Sequence, residues 1–262
     1  MSNEQKRYLK KKKIKKIVVL SIQIFLIVAF FLLWEYLSVN NIINSFIFSS
    51  PSKVISTIGG LINSNNLFPH ILTTLYEVLI AFLLGISLAF IIAILLYQFP
   101  IVEKIVDPFL TMLNSLPKVA LGPLIIIIVG ANTKSIITMA LLINLIVTTI
   151  TIYTGFLNTD PCKLKLLQSF KATKIQILTK LVIPNSYETI ISSLKLNISM
   201  TMIGVIMGEF LVSKKGIGYL IIYGTQVFNL SMVMSGILIL IILSYVMYLI
   251  VGYIDKVLIK NN

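Results

Sequence analysis

Long apolar runs recur along this 262-residue chain, and they limit its fold more than any other feature. A helix needs about 20 apolar residues to cross the roughly 30 Å hydrocarbon core of a bilayer. Only 12% of the residues are charged, about half the share of a soluble domain. The sequence therefore predicts an all-α polytopic membrane protein. The six predicted transmembrane helices cover residues 17–37, 71–97, 103–129, 134–154, 189–212 and 232–254.

The basic residues fix the orientation of these spans. Sixteen lysines and arginines fall on segments that the spans place on one side, and eight of them lie in the first sixteen residues. The other side holds four, at Lys53, Lys134, Lys214 and Lys215. Because cytoplasmic loops collect Lys and Arg, we expect both termini in the cytoplasm and the chain in the bacterial cytoplasmic membrane. The net charge of +13 is then explained by topology and by contact with anionic lipid, not by nucleic acid.

The predicted organisation follows from this topology. Its parts are a basic cytoplasmic tail (1–16), the first span (17–37), an outer segment (38–70), and a five-helix core (71–259) that includes a cytoplasmic loop (155–188). In the outer segment, Ser50 or Ser52 is predicted to start a short helix on the membrane surface. In the third span, Pro117, Gly122 and Pro123 predict a break. A broken helix at membrane depth needs protein or water around it, so the break indicates either a translocation pathway or a plain kink.

Little in the chain suits enzyme chemistry. The single Cys162 and the single His70 fit neither a metal-binding spacing nor a catalytic arrangement, so we predict no catalytic and no metal-binding residues. No G-x-x-x-x-G-K-[ST] phosphate loop is present, and GANTKS at Gly130 lacks the spacing. We therefore predict that this chain binds no cofactor and is not an enzyme.

The loop at 155–188 is amphipathic where its neighbours are apolar. Asp160 followed by Pro161 is a typical helix start, and two short helices are predicted, joined near Lys171 and Ala172. In the first, Leu164, Leu166, Leu167 and Phe170 are predicted to share one side. In the second, the shared side is predicted to hold Ile175, Ile177, Leu178, Leu181 and Val182. Such helices either lie on the inner membrane surface or offer a docking face to a soluble partner.

Small residues recur inside the second and fifth spans, and polar residues lie inside the second, fourth and fifth. Small residues in register let membrane helices approach closely, and the predicted packing positions are Ala81, Gly85, Ala89, Gly204 and Gly208. Polar residues inside spans usually face protein or water, and the candidates to line a pathway are Glu77, Asn144, Asn197, Thr201 and Glu209. For Glu77, the alternative is an acid at the outer rim, in water or paired with Lys214 or Lys215.

The loop resembles the cytoplasmic EAA loop of permease subunits of ATP-binding-cassette (ABC) importers. That family has Glu-Ala-Ala, then Gly after three residues, then Pro thirteen residues later. This chain keeps the spacing with Lys165-Leu166-Leu167, Lys171 and Pro184, but not the triplet or the glycine. Three further stretches, TLYEVLIAFLLG, NSLPKVALGPLIIIIVG and GEFLVSKKGIGYLIIYGTQVFN, are similar to the family's second span, broken third span and outer loop. Glu209 matches an acidic position typical of the family. Glu77 lies at a position where relatives commonly have arginine.

The resemblance implies a function and a set of partners. It implies a homodimer that forms the solute pathway, cytoplasmic ATPase subunits that carry ATP and Mg, and an outer solute-binding protein. The coupling residues it implies are Lys165, Leu166, Leu167, Phe170, Lys171, Ala172 and Pro184. The likeness is to the branch importing taurine, aliphatic sulfonates, nitrate or thiamine precursors. If the position of Glu77 borders the pathway, its acid weakens the case for an anionic solute. A secondary transporter or channel that uses no ATP, and a membrane scaffold, are the alternatives.

Overall fold

The helices of the protein follow the predicted spans closely. A computed structural model describes residues 3–260, without the side chains at 3–4, 6–7 and 254–260, so the basic side chains of Lys6, Arg7, Lys256 and Lys260 lie outside this description. The α-helices are α1 (Asn3–Val39), α2 (Ser45–Phe48), α3 (Pro51–Asn63), α4 (Leu67–Gln98), α5 (Pro100–Ser115), α6 (Gly122–Val129), α7 (Thr133–Leu157), α8 (Pro161–Ser169), α9 (Lys174–Ile177), α10 (Ile183–Asn185), α11 (Tyr187–Val212), α12 (Ile217–Gln226) and α13 (Leu230–Lys260). A 3₁₀ turn (Lys118–Leu121) precedes α6, and a π-helical turn (Leu178–Val182) joins α9 to α10.

Five helices are long and apolar enough to cross a membrane: α1, α4, α7, α11 and α13. A sixth span is formed if α5 is counted together with the segment Lys118–Val129, which is bent away from it by 88°. The bend falls at Leu116, whose backbone is extended because a residue before proline avoids the helical region. The predicted break in the third span is therefore confirmed.

The core is built around α7, which packs between α4 and α11. One apolar cluster joins Val78 and Ala81 of α4, Ile136 and Ala140 of α7, and Val205 of α11. The predicted packing residues Ala81, Gly85, Ala89, Gly204 and Gly208 are all buried here. A Cβ atom on Gly85 would stand 2.6 Å from the Asn144 side chain, and one on Gly208 would stand 3.0 Å from the Ile136 Cα. These contacts require the small residues.

Two smaller clusters close the ends of the bundle. At the end that the lysine distribution assigns to the outside, Leu67 of α4 packs with Ile217 and Leu220 of α12. At the cytoplasmic end, Ala93 of α4 and Phe156 of α7 pack with buried residues of the loop after α7. The cytoplasmic loop is therefore fixed to the bundle by its own apolar side chains.

The first helix stands apart from this bundle. Its membrane-spanning window is not buried at all, and it continues through the basic tail without a break. It is held at the outer end, where Glu35 accepts hydrogen bonds from the Ser52 N–H and hydroxyl at 3.0 and 2.6 Å. There α3 begins with Ser50 as its cap, which confirms the predicted short helix.

Candidate functional site

The loop after α7 forms a compact projection, defined here as residues 160–186. It starts as predicted: the Asp160 carboxylate accepts a hydrogen bond from the Cys162 N–H at 2.8 Å, with Pro161 in the first helical position. An acid at a helix N-terminus satisfies a free backbone donor and interacts favourably with the helix dipole. Sequence and local geometry therefore agree on where α8 begins.

The turn between the two parts of the projection has a fixed geometry. The Lys171 N–H donates to the Gln168 carbonyl at 2.9 Å, and the Ala172 N–H donates to the Leu167 carbonyl at 3.1 Å. These are the two hydrogen bonds of a Schellman helix end, which needs a left-handed residue and favours glycine there. Lys171 takes that conformation, with φ of +56°. The resembled family has glycine at the position of Lys171, and the left-handed backbone there explains why glycine is favoured.

The second part is capped at one end and tied to the bundle at the other. Thr173 and Gln176 form a capping box, in which the Gln176 N–H donates to Thr173 Oγ1 at 3.3 Å and the Thr173 N–H donates to Gln176 Oε1 at 2.8 Å. Pro184 lies in the first turn of α10. Beyond it, the Ser186 hydroxyl donates to the Gly155 carbonyl of α7 at 2.8 Å. The projection is therefore tied to α7 at this end.

The inner side of the projection packs against the bundle. Its buried residues are Ile177, Leu178 and Val182, and Leu164, Leu167 and Ala172 pack partly buried against the same cluster. Leu167 and Ala172, predicted as coupling residues, thus hold the projection in place. They have little surface left for a partner.

The outer side carries three exposed apolar residues. Leu166 is 56% exposed, Phe170 73% and Ile175 69%. The prediction that Leu164, Leu166, Leu167 and Phe170 share one side was therefore wrong, as was the prediction that Ile175 shares a side with Ile177, Leu178, Leu181 and Val182, since Ile177, Leu178 and Val182 are buried. At about 100° per residue, Leu166 lies roughly 200° from Leu164, so the first helix has two apolar sides. The residue that the sequence analysis missed as a docking candidate is Ile175.

The five predicted pathway residues are all fully buried. Asn144 donates to Thr201 Oγ1 at 2.6 Å, Thr201 donates to Asn197 Oδ1 at 3.2 Å, and Asn197 donates to Thr148 Oγ1 at 2.9 Å. This chain of hydrogen bonds joins α7 to α11 across the core. None of these side chains reaches a surface that a solute touches in this conformation, and a pathway role for them stays a prediction.

The two predicted acids lie together beneath the outer loop. Glu209 accepts a hydrogen bond from the Thr74 hydroxyl at 2.6 Å and from the Gly218 N–H at 2.5 Å. It thereby caps the start of α12 and holds it against α4 and α11. Glu77, one turn from Thr74 on α4, lies beside Glu209, and its oxygens are buried without a hydrogen bond of regular geometry. The alternative that Glu77 is a rim acid in water was therefore wrong.

His70 and Thr74 complete the attachment of the outer loop, and the sequence analysis did not single out this role. The Gly216 N–H donates to His70 Nδ1 at 2.9 Å, and the Ile217 N–H donates to Thr74 Oγ1 at 2.8 Å. The available signal was the spacing His70, Thr74, Glu77, which places three polar side chains on one side of α4. The structure brings this side against the loop before α12.

Together, a bundle of spans, a break at membrane depth and a cytoplasmic projection with an exposed apolar side define a membrane-transport subunit that works with partners. The chain belongs to the family described as binding-protein-dependent transport system inner membrane component, which matches residues 81–260. It is an ABC importer permease subunit, a multi-pass protein of the cell membrane and not an enzyme.

Named relatives indicate which branch of the permease family this chain resembles. The chain is 26% identical to an aliphatic sulfonates transport permease of Bacillus subtilis over 79% of its length and 75% of that protein. It is also 26% identical to the formylaminopyrimidine transport permease of Halalkalibacterium halodurans, over 71% of this chain and 74% of the relative. In the MetNI methionine ABC transporter, a chain with 17% identity gives a TM-score of 0.63 over 71% of this chain and 92% of its own length. That likeness supports the fold.

Proposed function

We propose that this subunit couples ATP hydrolysis on separate ATPase subunits to the uptake of a small polar solute. The ATPase subunits carry ATP and Mg and dock on the projection, while an outer binding protein delivers the solute. Closure of the ATPases on ATP pulls the projection. Because Ser186 and the buried apolar residues of the projection tie it to the bundle, the motion reaches the spans.

The observation that carries this proposal is the exposure of Leu166, Phe170 and Ile175. The opposite side of the projection packs on the cytoplasmic end of the bundle, so these three residues point away from the membrane and into water. Exposed apolar residues grouped in this way mark a protein-binding surface. A pair of helices lying on the membrane would turn this side toward lipid instead.

The solute class is proposed from the relatives. Their names include aliphatic sulfonates, formylaminopyrimidine and, in Escherichia coli, taurine. We accordingly propose a solute of the sulfonate, taurine, nitrate or thiamine-precursor class. Glu77 is buried in this conformation, so its negative charge bears on the choice of solute only in a conformation that exposes it to the pathway.

In this proposal two copies of the chain form a homodimer, and the solute pathway runs along α5 and α6. No residue of α5 is buried, and the peptide groups at the 88° bend need water or a second copy as hydrogen-bonding partners. In this proposal Glu77, Asn144, Asn197, Thr201 and Glu209 meet the solute only in a conformation in which α7 separates from α4 and α11.

The test is co-purification, in mild detergent, with a co-expressed ABC ATPase subunit from the same organism. The triple variant Leu166→Asp, Phe170→Asp, Ile175→Asp spares the packed Leu167 and is expected to lose the ATPase. The matched control is Phe228→Asp in the outer loop, since Phe228 is 72% exposed and lies on the other side of the membrane. The control is expected to keep the ATPase.

Two results would contradict the proposal. One is that the wild-type subunit never retains the ATPase. The other is that proteoliposomes containing this chain alone transport solute without ATP, which would make it a secondary transporter or channel.

A further inference from the structure

The projection is basic as well as apolar. All five of its lysines are exposed: Lys163, Lys165, Lys171, Lys174 and Lys180. Its one acid is Asp160, whose carboxylate is engaged in capping α8. The surface that faces the cytoplasm therefore combines three apolar side chains with a strong positive charge.

The lysines lie around the apolar residues. On α8, at about 100° per residue, Lys163 and Lys165 fall on either side of Leu166. Lys171 follows Phe170 directly, in the left-handed turn, and Lys174 precedes Ile175 at the start of α9. An apolar centre with a charged rim is the usual anatomy of a protein–protein interface.

We propose that the ATPase surface that receives this projection is acidic, and that charge selects this subunit's partner. The inference rests on the proposed function and adds the chemistry of the partner: an apolar pocket for Phe170, Leu166 and Ile175, with carboxylates at its rim. At Lys165 this chain carries a positive charge where the resembled family has glutamate, so an ATPase suited to the family's acid is repelled here. Complementary charge at a rim sets partner choice and association rate more than affinity.

The competing explanation is that the lysines serve anionic lipid, as in many cytoplasmic loops. The packing of the projection favours a protein partner over anionic lipid. Leu164 and Leu167 turn their side of α8 toward the bundle, so the outward residues between the lysines point away from the bilayer.

The experiment uses the full chain in lipid nanodiscs, titrated with the ATPase subunit that co-purifies with it. The variant is Lys165→Glu with Lys174→Glu, and the control is Lys104→Glu, an exposed cytoplasmic lysine on α5. Because rim charge pairs are partly screened by water and each contributes modestly, the double variant is expected to weaken binding about tenfold. Raising the salt from about 50 to about 300 mM is expected to weaken the wild type more than the variant. The control is expected to bind as the wild type does.

The outcomes distinguish the inference about an acidic partner surface from the proposed function on which it rests. If the double variant binds as tightly as the wild type, or more tightly, while Phe170→Asp abolishes binding, the acidic partner surface is overturned and docking stands. If the effect of the double variant appears only in discs with about 30% anionic lipid, the lysines serve the membrane and the inference also fails. If neither the apolar nor the lysine variant changes binding, the proposed function itself is overturned.

Discussion

At the scale of single residues, Glu209 joins three helices. Its carboxylate accepts from Thr74 of α4 and from Gly218 of α12, and it belongs to α11. Gly216 and Gly218 have no side chain, and a Cβ atom on either would collide with the Glu209 side chain. The position of the Glu209 side chain therefore requires glycine at Gly216 and Gly218. The free N–H groups of the loop in turn require an acceptor, which Glu209 supplies.

Removing this carboxylate is expected to loosen the outer end. Glu209→Ala leaves the Gly218 N–H and the Thr74 hydroxyl buried without an acceptor, at a cost of about 2–4 kcal/mol in the free energy of unfolding. Glu209→Gln keeps one acceptor oxygen and is expected to cost about half as much. The measurement is thermal unfolding in detergent together with hydrogen exchange of the first turn of α12.

Glu35 supplies the matched control for this prediction. It also accepts two hydrogen bonds, both from Ser52, but it is exposed to solvent. Glu35→Ala is expected to lower the unfolding midpoint much less than Glu209→Ala does, since water replaces the lost acceptor. Equal losses at the two positions would mean that burial of Glu209 contributes nothing to the attachment of α12.

At the scale of elements, the stability of the bundle depends on the close approach of α11 to α7. The Cα of Gly204 lies directly against the Ala140 backbone, so a methyl group there has no space. Backbone cannot give way as a flexible side chain does, and helix association in lipid depends on such contacts. The two helices must separate to admit any larger residue.

Gly204→Ala is therefore expected to destabilise the protein by about 1–3 kcal/mol, the range of over-packing in a close-packed core. Gly60→Ala in α3 is the control, because nothing lies within 4 Å of the position its Cβ would take. There the better helix propensity of alanine is expected to stabilise the protein by about 0.5–1 kcal/mol. Unfolding midpoints measured in one detergent test both, and a tolerated alanine at Gly204 would contradict the packing account.

The elements were predictable from sequence to the extent that local chemistry decides them. The spans follow from runs of apolar residues, the bend from Pro117, and the start of α8 from Asp160 and Pro161. The sides of α8 were not predictable by counting leucines, because the helix has apolar residues toward the bundle and toward the cytoplasm. A polar side chain such as Asn144 in a span suggests a pathway, but only the tertiary structure shows that its amide nitrogen donates within the core, to Thr201 and Ala81.

At the scale of the whole molecule, the subunit is incomplete by itself. The spanning part of α1 is not buried at all, and lipid explains this because the helix is apolar throughout that part. The surface of α5 is different: Asn114 and Ser115 are exposed next to the bend, and Lys118 donates to the Asn114 carbonyl at 3.1 Å. Polar groups at a broken span need water or protein rather than lipid. The second copy and the solute route are proposed on this surface.

This arrangement predicts that water reaches the bend between α5 and the segment Lys118–Val129. In a Cys162→Ser background, which removes the one native thiol, a cysteine at Asn114 is expected to react with a water-soluble maleimide in membranes. A cysteine at Ile24 of α1, which is 54% exposed but faces lipid, is expected to react at least about tenfold more slowly, because the thiolate that reacts forms only in contact with water. Solute added with the ATPase and ATP is expected to change the rate at Asn114 and not at Ile24. If the two cysteines react equally slowly, the bend is closed by lipid or protein, and the proposed route must run elsewhere.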